Sequence, residues 1–270
     1  MIYQRLSDAL IPITAQPFRS GYREYSPCKA LKPYIRCFWT SVAQGGRLII
    51  PDLCADIIFD TGNDKAFFCG VSDEAFVSHR QTETFGIRFY SWTAALFAED
   101  SMRKTLNGGF ELNGHFRKLE KELAPKLTYA KTVKERIALS EKFLISNLHE
   151  RHCGLFLNAL GEIMTLHGIC TAENISKILH ISNRQLERVF SEYSGLTPKK
   201  AAMLIRYQYL WRDILSGQCF NGAEKAAEYG YSDQSHLLKD FRRFHTVYPN
   251  QAREIALNNV AFLQDNPSIK

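Results

Sequence analysis

The spacing of apolar residues changes rhythm once along the chain. In the first ninety residues, short β-branched or aromatic runs are separated by Gly, Pro, Asp and Asn: Ile35 to Val42, Arg47 to Ile50, Ile57 to Asp60, Phe67 to Val71 and Phe85 to Tyr90. Runs of this length with period-two alternation predict strands of a small barrel or sandwich. After Ser91 the spacing becomes helical, through Ala94 to Ala98, Leu119 to Leu127 and Val133 to Leu148, with Pro125 and Thr128 to Lys131 as an interruption. The last stretch places Ile137, Phe143, Leu144 and Leu148 on one stripe and Lys134, Glu135, Arg136, Glu141 and Lys142 elsewhere. Such a stripe serves either packing within the chain or dimerisation, and both uses are open.

The most informative pattern lies near the C-terminus. Tyr229-Gly230-Tyr231-Ser232-Asp233-Gln234-Ser235-His236-Leu237 runs into Lys239-Asp240-Phe241-Arg242-Arg243-Phe244, with Pro249 soon after. Gly230 can close one helix in the left-handed conformation, and Ser232 or Asp233 can cap the next after a short turn. The second helix would bury Leu237, Leu238, Phe241 and Phe244 and present Gln234, Ser235, Lys239, Arg242 and Arg243. That is a helix-turn-helix. About 50 residues upstream the design recurs in Leu179-His180-Ile181-Ser182-Asn183-Arg184-Gln185-Leu186-Glu187-Arg188-Val189-Phe190. Ser182 or Asn183 can cap there, Leu186, Val189 and Phe190 form the buried side, and Arg184, Gln185, Glu187 and Arg188 point away.

Each unit is preceded by a short helical stretch, Thr171 to Leu179 and Gly222 to Tyr229, and between the units Pro198 opens a connecting helix that ends before Gly217. One such hairpin is weak evidence, because ordinary helical cores give similar spacings. Two on either side of a connector of roughly 18 residues have a mechanical purpose: the connector can set two recognition helices about one DNA turn apart, roughly 34 Å.

Residues from about 165 to 255 resemble the DNA-binding domain of AraC/XylS-type transcription regulators. The family pattern GFxDxSHFxRxFKxxxGxxP is met here by GYSDQSHLLKDFRRFHTVYP, and SxRQLxRxFxxxxGxSP by the segment from Ser182 to Pro198. Leu238-Lys239 departs from the usual polar-Arg pair, and His245 is read as standing in place of the glycine before Thr246. The N-terminal segments Tyr34-Ile35-Arg36-Cys37-Phe38-Trp39, Ile50-Pro51-Asp52-Leu53-Cys54-Ala55-Asp56-Ile57-Ile58-Phe59 and Gly86-Ile87-Arg88-Phe89 resemble a sensor-domain subgroup attached to such domains. That resemblance implies a sensor without naming its signal, and Tyr90-Ser91-Trp92 departs from the subgroup's usual continuation.

The expected fold class is therefore α+β, an N-terminal β-rich barrel or sandwich with helices followed by an all-α domain with two helix-turn-helix motifs. The expected divisions are 1–125 for the sensor-like domain, 126–152 for a helical linker and possible dimerisation helix, 153–258 for the DNA-binding domain, and 259–270 for a flexible tail.

Composition adds limits. The chain has 270 residues, 45% hydrophobic and 23% charged, ordinary values for a globular protein of two domains. No apolar stretch reaches the roughly 18 residues that span a bilayer, and the first residues lack a secretory pattern, so no membrane partner and a cytoplasmic location are expected. Seven cysteines, with no CxxC pair, argue against a disulfide framework and a zinc finger. The net charge of +6 is modest, and residues 153 to 258 hold 12 basic against 10 acidic residues. Placement therefore carries the nucleic-acid reading, through Arg184, Arg188, Lys199, Lys200, Arg206, Arg212, Lys239, Arg242 and Arg243 on the expected exposed faces.

Arg184, Gln185 and Arg188, with Gln234, Ser235 and Lys239, have the chemistry to read base edges in double-stranded DNA. Ser182, Lys199, Lys200, Arg206, Arg242 and Arg243 suit phosphates. Phe38, Trp39, Phe59, Phe89 and Trp92 are candidates for an effector pocket, though most such aromatics are simply core. Cys37, Cys54 and Cys69 with His79 invite a metal or thiol reading, against which stands the plainer one of buried cysteine acting as a small hydrophobe. Arg19 and Arg23 have a spacing used by some cyclic-dinucleotide sites, without the accompanying motif. Asp52 and Asp56 form a carboxylate pair better explained by a turn before a strand. With no catalytic grouping, metal set or cofactor fingerprint, the expected partners are DNA, a second copy of the chain, an unknown small effector, and RNA polymerase if the protein activates. Two competing readings remain, a constitutive DNA binder whose N-terminal domain only dimerises and a barrel-type binding protein or enzyme with accessory helices.

Overall fold

The computed structural model describes residues 2–13, 21–42, 47–78, 82–149, 153–216 and 220–258. Arg19, His79, Cys219 and the 259–270 tail, each part of an expectation above, lie outside the described residues. The strands are β1 Tyr22–Tyr25, β2 Ile35–Ser41, β3 Arg47–Ile49, β4 Cys54–Asp60, β5 Lys65–Cys69, β6 Phe76–Ser78, β7 Thr84–Tyr90 and β8 Gly109–Glu111. The α-helices are α1 Ile2–Ala9, α2 Arg117–Glu122, α3 Ala124–Tyr129, α4 Val133–Ser146, α5 Gly154–Thr165, α6 Ala172–Ile178, α7 Asn183–Ser194, α8 Pro198–Ser216, α9 Gly222–Glu228, α10 Gln234–His245 and α11 Pro249–Leu257. The α+β class holds, with strands confined to the first 111 residues and helices dominating the rest.

Six strands form one antiparallel sheet in the order β1-β2-β7-β4-β5-β8, and β3 pairs with β6 in a separate ribbon. Among the described residues the large sheet is open, so the barrel alternative gives way to a sheet with two edges. Its registers divide the side chains sharply. One face carries Phe38, Ile57, Phe59, Phe68, Phe85, Ile87 and Phe89, all within the main core. Helical segments cover that face: Phe97 lies 5.3 Å from Phe89 and Phe116 lies 4.8 Å from Phe68, ring centre to ring centre. The other face carries Glu24, Cys37, Trp39, Cys54, Asp56 and Arg88.

This alternation corrects the proposed aromatic pocket. Phe38, Phe59 and Phe89 are core on one face, Trp39 projects from the opposite face, and Trp92 lies buried beyond β7, stacked on Tyr90. The five side chains do not line one cavity, because a period-two backbone sends neighbours such as Phe38 and Trp39 to opposite sides.

Two helices tie the halves of the chain together. α1 packs on α5, and the Tyr209 hydroxyl in α8 donates to the Ala9 carbonyl. Gln208, fully buried in α8, accepts from the Ile13 amide and donates to the carbonyls of Ile13 and Pro51. α4 is amphipathic as expected, but Leu144 is fully buried in the chain's own core. Ile137, Phe143 and Leu148 pack against the same core, and beside the stripe Glu141 accepts from the Cys28 amide and Arg136 pairs with Glu83, so the helix is committed within the molecule on its apolar side and part of its polar side.

Candidate nucleic-acid interface

The two helix-turn-helix units are built by the same backbone device. In the first, α6 ends with His180 in the left-handed region (φ 53°), and the Ile181 amide reaches back to the Ser176 carbonyl at 3.0 Å. In the second, Gly230 (φ 66°) follows α9, and the Tyr231 amide reaches the Ala226 carbonyl at 2.8 Å. These paired returns satisfy the last carbonyls of the first helix and turn the chain sharply into the next. Ser182 then caps α7 by accepting from the Gln185 amide, and Asp233 caps α10 by accepting from the His236 amide at 2.8 Å. Of the alternatives the sequence left open, Ser182 and Asp233 are the caps. Asn183 instead accepts from the Ser176 hydroxyl, joining α6 to α7.

The burial pattern follows from helical periodicity. On α7, Leu186, Val189 and Phe190 are buried and Arg184, Gln185, Glu187 and Arg188 are exposed. On α10, Leu237, Phe241 and Phe244 are buried, Leu238 is half-buried, and Gln234, Ser235, Lys239, Arg242 and Arg243 are exposed. Arg188 faces Glu192 one turn along at 3.8 Å, a solvent-exposed pair that a DNA edge can displace at small cost. Gln234 folds over the start of α9, so closely that a Cβ on Gly222 would meet its amide at 2.8 Å.

The phosphate candidates divide. Ser182 and Lys199 are exposed, and Arg242 lies over the Tyr248 ring, 5.3 Å from its centre. Arg206 is a correction. Expected on an exposed face, its side chain is only 17% accessible, set 4.1 Å over the Tyr231 ring and 3.7 Å from Asp240. The connecting helix is sandwiched on more sides than a surface periodicity reveals, and Arg206 joins α8 to the second unit. Lys200 and Arg243 both reach one carboxylate, that of Asp73 from the N-terminal half, at 3.0 and 3.2 Å. Sequence reading missed Asp73, which stands in a Ser-Asp-Glu turn with no local signature.

Helix ends differ between the units in one respect. α7 terminates at Gly195 (φ 72°), whereas α10 terminates at Thr246 (φ 65°). The left-handed residue is thus Thr246, not His245, and the reading that His245 replaced a glycine is corrected. His245 is the last helical residue, buried among Tyr207, Trp211 and Phe241, with Nδ1 2.7 Å from the Tyr207 hydroxyl. Its burial pulls the imidazole pKa down to about 3.

On the second face of the sheet, three sequence segments converge. Arg88 makes a two-pronged pair with Asp56, at 3.0 and 3.1 Å, and reaches Asp52 at 3.4 Å and Glu24 at 3.9 Å. The Trp39 indole donates to Asp56 at 2.8 Å, and Arg36 pairs with Glu24 at 3.6 Å. Gly86 is required there, since a Cβ would overlap the Trp39 ring. Burial opposes the charge on Arg88, but the surrounding carboxylates, Asp56 foremost, outweigh it and hold the guanidinium protonated. Burial raises Asp52 above the usual carboxylate range despite Arg88. Asp52 does form the expected turn, accepting from the Cys54 amide, and it also belongs to the network. Burial likewise pushes the Cys37 and Cys54 thiols up, which disfavours the thiolate a metal needs. Among the described residues no three His, Cys, Asp or Glu side chains gather into a metal-holding set, and no helix is long and apolar enough to cross a membrane.

Comparison with known proteins agrees with the geometry. Residues 175–255 match a family described as a helix-turn-helix domain. This region is an AraC-type helix-turn-helix domain. Residues 23–110 match a family described as a domain of unknown function (DUF6597). Among solved structures, a transcriptional regulator with an AraC-type DNA-binding domain from Chromobacterium violaceum is similar at 24% identity, over 36% of this chain and 90% of that one, with a TM-score of 0.32. ToxT from Vibrio cholerae is similar at 10% identity over 87% of this chain and 99% of that one, with a TM-score of 0.43. Unsaturated fatty acid bound ToxT is similar at 9% identity over 87% and 94%, with a TM-score of 0.41. Comparison with curated proteins gives no match. The chain thus carries an AraC-type, DNA-binding helix-turn-helix domain in its C-terminal region.

Proposed function

We propose that the protein reads a specific DNA sequence with both recognition helices and that its N-terminal domain adjusts this binding in response to a small molecule. The observation that carries the first half is the matched exposure of Arg184, Gln185 and Arg188 on α7 and of Gln234, Ser235 and Lys239 on α10. Arginine offers a two-pronged donor to guanine and glutamine a matching pair to adenine. Ser182, Lys199, Arg242, Lys200 and Arg243 would set the register on phosphates.

The second half is supported by the Arg88 network. Burying several charges on a sheet face costs more than an apolar face would, and such clusters concentrate at functional sites. Asp52 follows Pro51, whose carbonyl accepts from Gln208 in the helix that connects the two units. A ligand that displaced Asp52 from Arg88 would therefore disturb the connector directly. Homodimerisation is a further part of this reading. With Leu144 committed to the core, a partner would have to meet the outer side of α4, where Ile145 is half exposed.

Selection of bound sequences from random duplex DNA by the full-length protein, followed by band-shift titration at two salt concentrations, tests the reading. Expected are one enriched site and affinity that falls steeply with salt. Equal affinity for selected and scrambled duplexes removes specific readout, and no binding at all overturns the assignment. Thermal shift against a metabolite library tests the sensor half, because a ligand that binds the folded state raises the melting temperature.

A further inference from the structure

We propose that Asp73 is an autoinhibitory latch, a carboxylate of the N-terminal domain that occupies Lys200 and Arg243 in place of DNA phosphate. The inference rests on the DNA-binding reading and adds its regulation. The two cations belong to different units: Lys200 lies in the first turn of α8, just past the first recognition helix, and Arg243 lies in the last turn of the second. One oxygen of Asp73 meets both, at 3.0 and 3.2 Å. A single anionic oxygen shared by an ammonium and a guanidinium is what a backbone phosphate also provides.

The carboxylate is preset from its own side. Asn107 donates to its other oxygen at 2.7 Å and accepts from the Asp73 amide at 2.9 Å. Burial by itself would raise this carboxyl, but the bonds from Asn107 and Lys200 and the charges of Lys200 and Arg243 prevail and hold it below the ordinary range. Asp73 is 1% accessible, whereas Lys200 and Arg243 are 36% and 46% accessible. The contact is thus closed on the acid's side and open to solvent on the cations' side, where DNA would approach.

Neighbouring contacts make the latch a brace across both units. The Ala75 amide donates to the Arg243 carbonyl at 3.5 Å, and the Met102 amide donates to the Glu192 carbonyl of α7 at 2.8 Å. Gly195 sits so close to this loop that a Cβ would come 2.6 Å from the Met102 carbonyl. Engaging both cations on phosphates requires the Asp73 contact to open, so by linkage anything that steadies the contact weakens DNA binding.

The test uses the full-length protein carrying Asp73→Asn, a second variant Asn107→Ala that frees the carboxylate without changing charge, and two duplexes, one selected by the wild-type protein and one scrambled. Asp73→Asn should bind both duplexes about three- to tenfold more tightly near 0.1 M salt, with a slope of log affinity against log salt steeper by up to about 2, as two recovered phosphate contacts require. Asn107→Ala should move both quantities the same way by less. Adding Lys200→Met and Arg243→Met to Asp73→Asn should cancel the gain. Melting temperatures report whether each variant is folded, and if Asp73→Asn is not, Asn107→Ala decides. Unchanged or weaker binding by a folded variant, or a gain confined to the selected duplex, overturns the latch. Absence of binding by the wild-type protein and every variant would instead sink the DNA-binding reading.

Discussion

Thr246 holds in the second helix-turn-helix unit the place that Gly195 holds in the first. Each ends its recognition helix in the left-handed region, at φ 65° and 72°, three residues before a proline that starts the next helix. For glycine this conformation is free of strain, while a β-branched residue in it is strained by about 1–3 kcal/mol. Thr246 is exposed, so its side chain adds little packing in return.

Thr246→Gly should therefore stabilise the protein, by about 0.5–1 kcal/mol after the extra freedom glycine gives the unfolded chain. Gly195→Ala should destabilise it by about 1–3 kcal/mol, since the new Cβ meets both an unfavourable backbone and the Met102 carbonyl. Urea unfolding of the two variants checks the pair. A loss of stability in Thr246→Gly would mean that the threonine makes a contact worth more than its strain.

His245 gives the fold a dependence on acidity. Above its unfolded pKa near 6.5 the ring is neutral in both states and contributes no slope. Its native pKa is about 3, so as pH falls below 6.5 the unfolded chain takes up a proton that the buried ring refuses. Stability then declines by up to about 1.4 kcal/mol per pH unit. Between pH 6.5 and 5, His245→Asn should show a shallower decline than the wild-type protein. Parallel slopes for the two would show that His245 does not resist protonation. Asp73 acts in the same direction only at lower pH: its depressed carboxyl contributes stability that is lost as pH falls below the usual carboxylate value.

Gly86→Ala should disturb the charged face of the sheet without touching the DNA-binding domain. The methyl group would displace the Trp39 ring and with it the indole bond to Asp56. Overpacking of this kind costs about 1–3 kcal/mol. Trp39 should also move toward solvent, giving a red-shifted tryptophan emission. An unchanged spectrum and unchanged melting temperature would mean that the sheet bends to accommodate the methyl group.

The elements visible from the sequence were those whose environment is one-sided and local. β2, β4, β5 and β7 carry long apolar runs and are nearly as expected, whereas β1, β6 and β8 are edge or ribbon strands of three or four residues with little apolar pattern. α1 escaped notice because its short amphipathic turn reads as mere alternation until α5 and α8 are there to cover it. In the candidate interface, caps and helical periodicity fixed which side chains of α7 and α10 are exposed. The fates of Arg206, Lys200 and Arg243 were illegible, because they depend on partners such as Asp73, 170 residues from Arg243. The Arg88 network was half legible: its residues lay in three recognisable segments, but only strand pairing brings Trp39, Asp56 and Arg88 together.

Base reading and phosphate positioning can be separated by two exposed side chains, Arg188 on α7 and Lys199 at the start of α8. A guanidinium that pairs with a base edge discriminates among bases, while an ammonium near the backbone attracts every sequence equally. Arg188→Ala should cost about 1–3 kcal/mol on the selected site, relax preference at one position, and leave scrambled DNA little affected. Its ion pair with Glu192 is exposed, so the fold should keep its melting temperature within about 1 °C of wild type. Lys199→Ala should weaken selected and scrambled duplexes by the same factor and reduce the salt slope by about 1. Titrations of both variants against a panel of single-base changes at two salt concentrations decide the matter. If Arg188→Ala lowers all affinities uniformly, α7 lies along the backbone rather than in the groove, and reading of the first half-site falls to other residues.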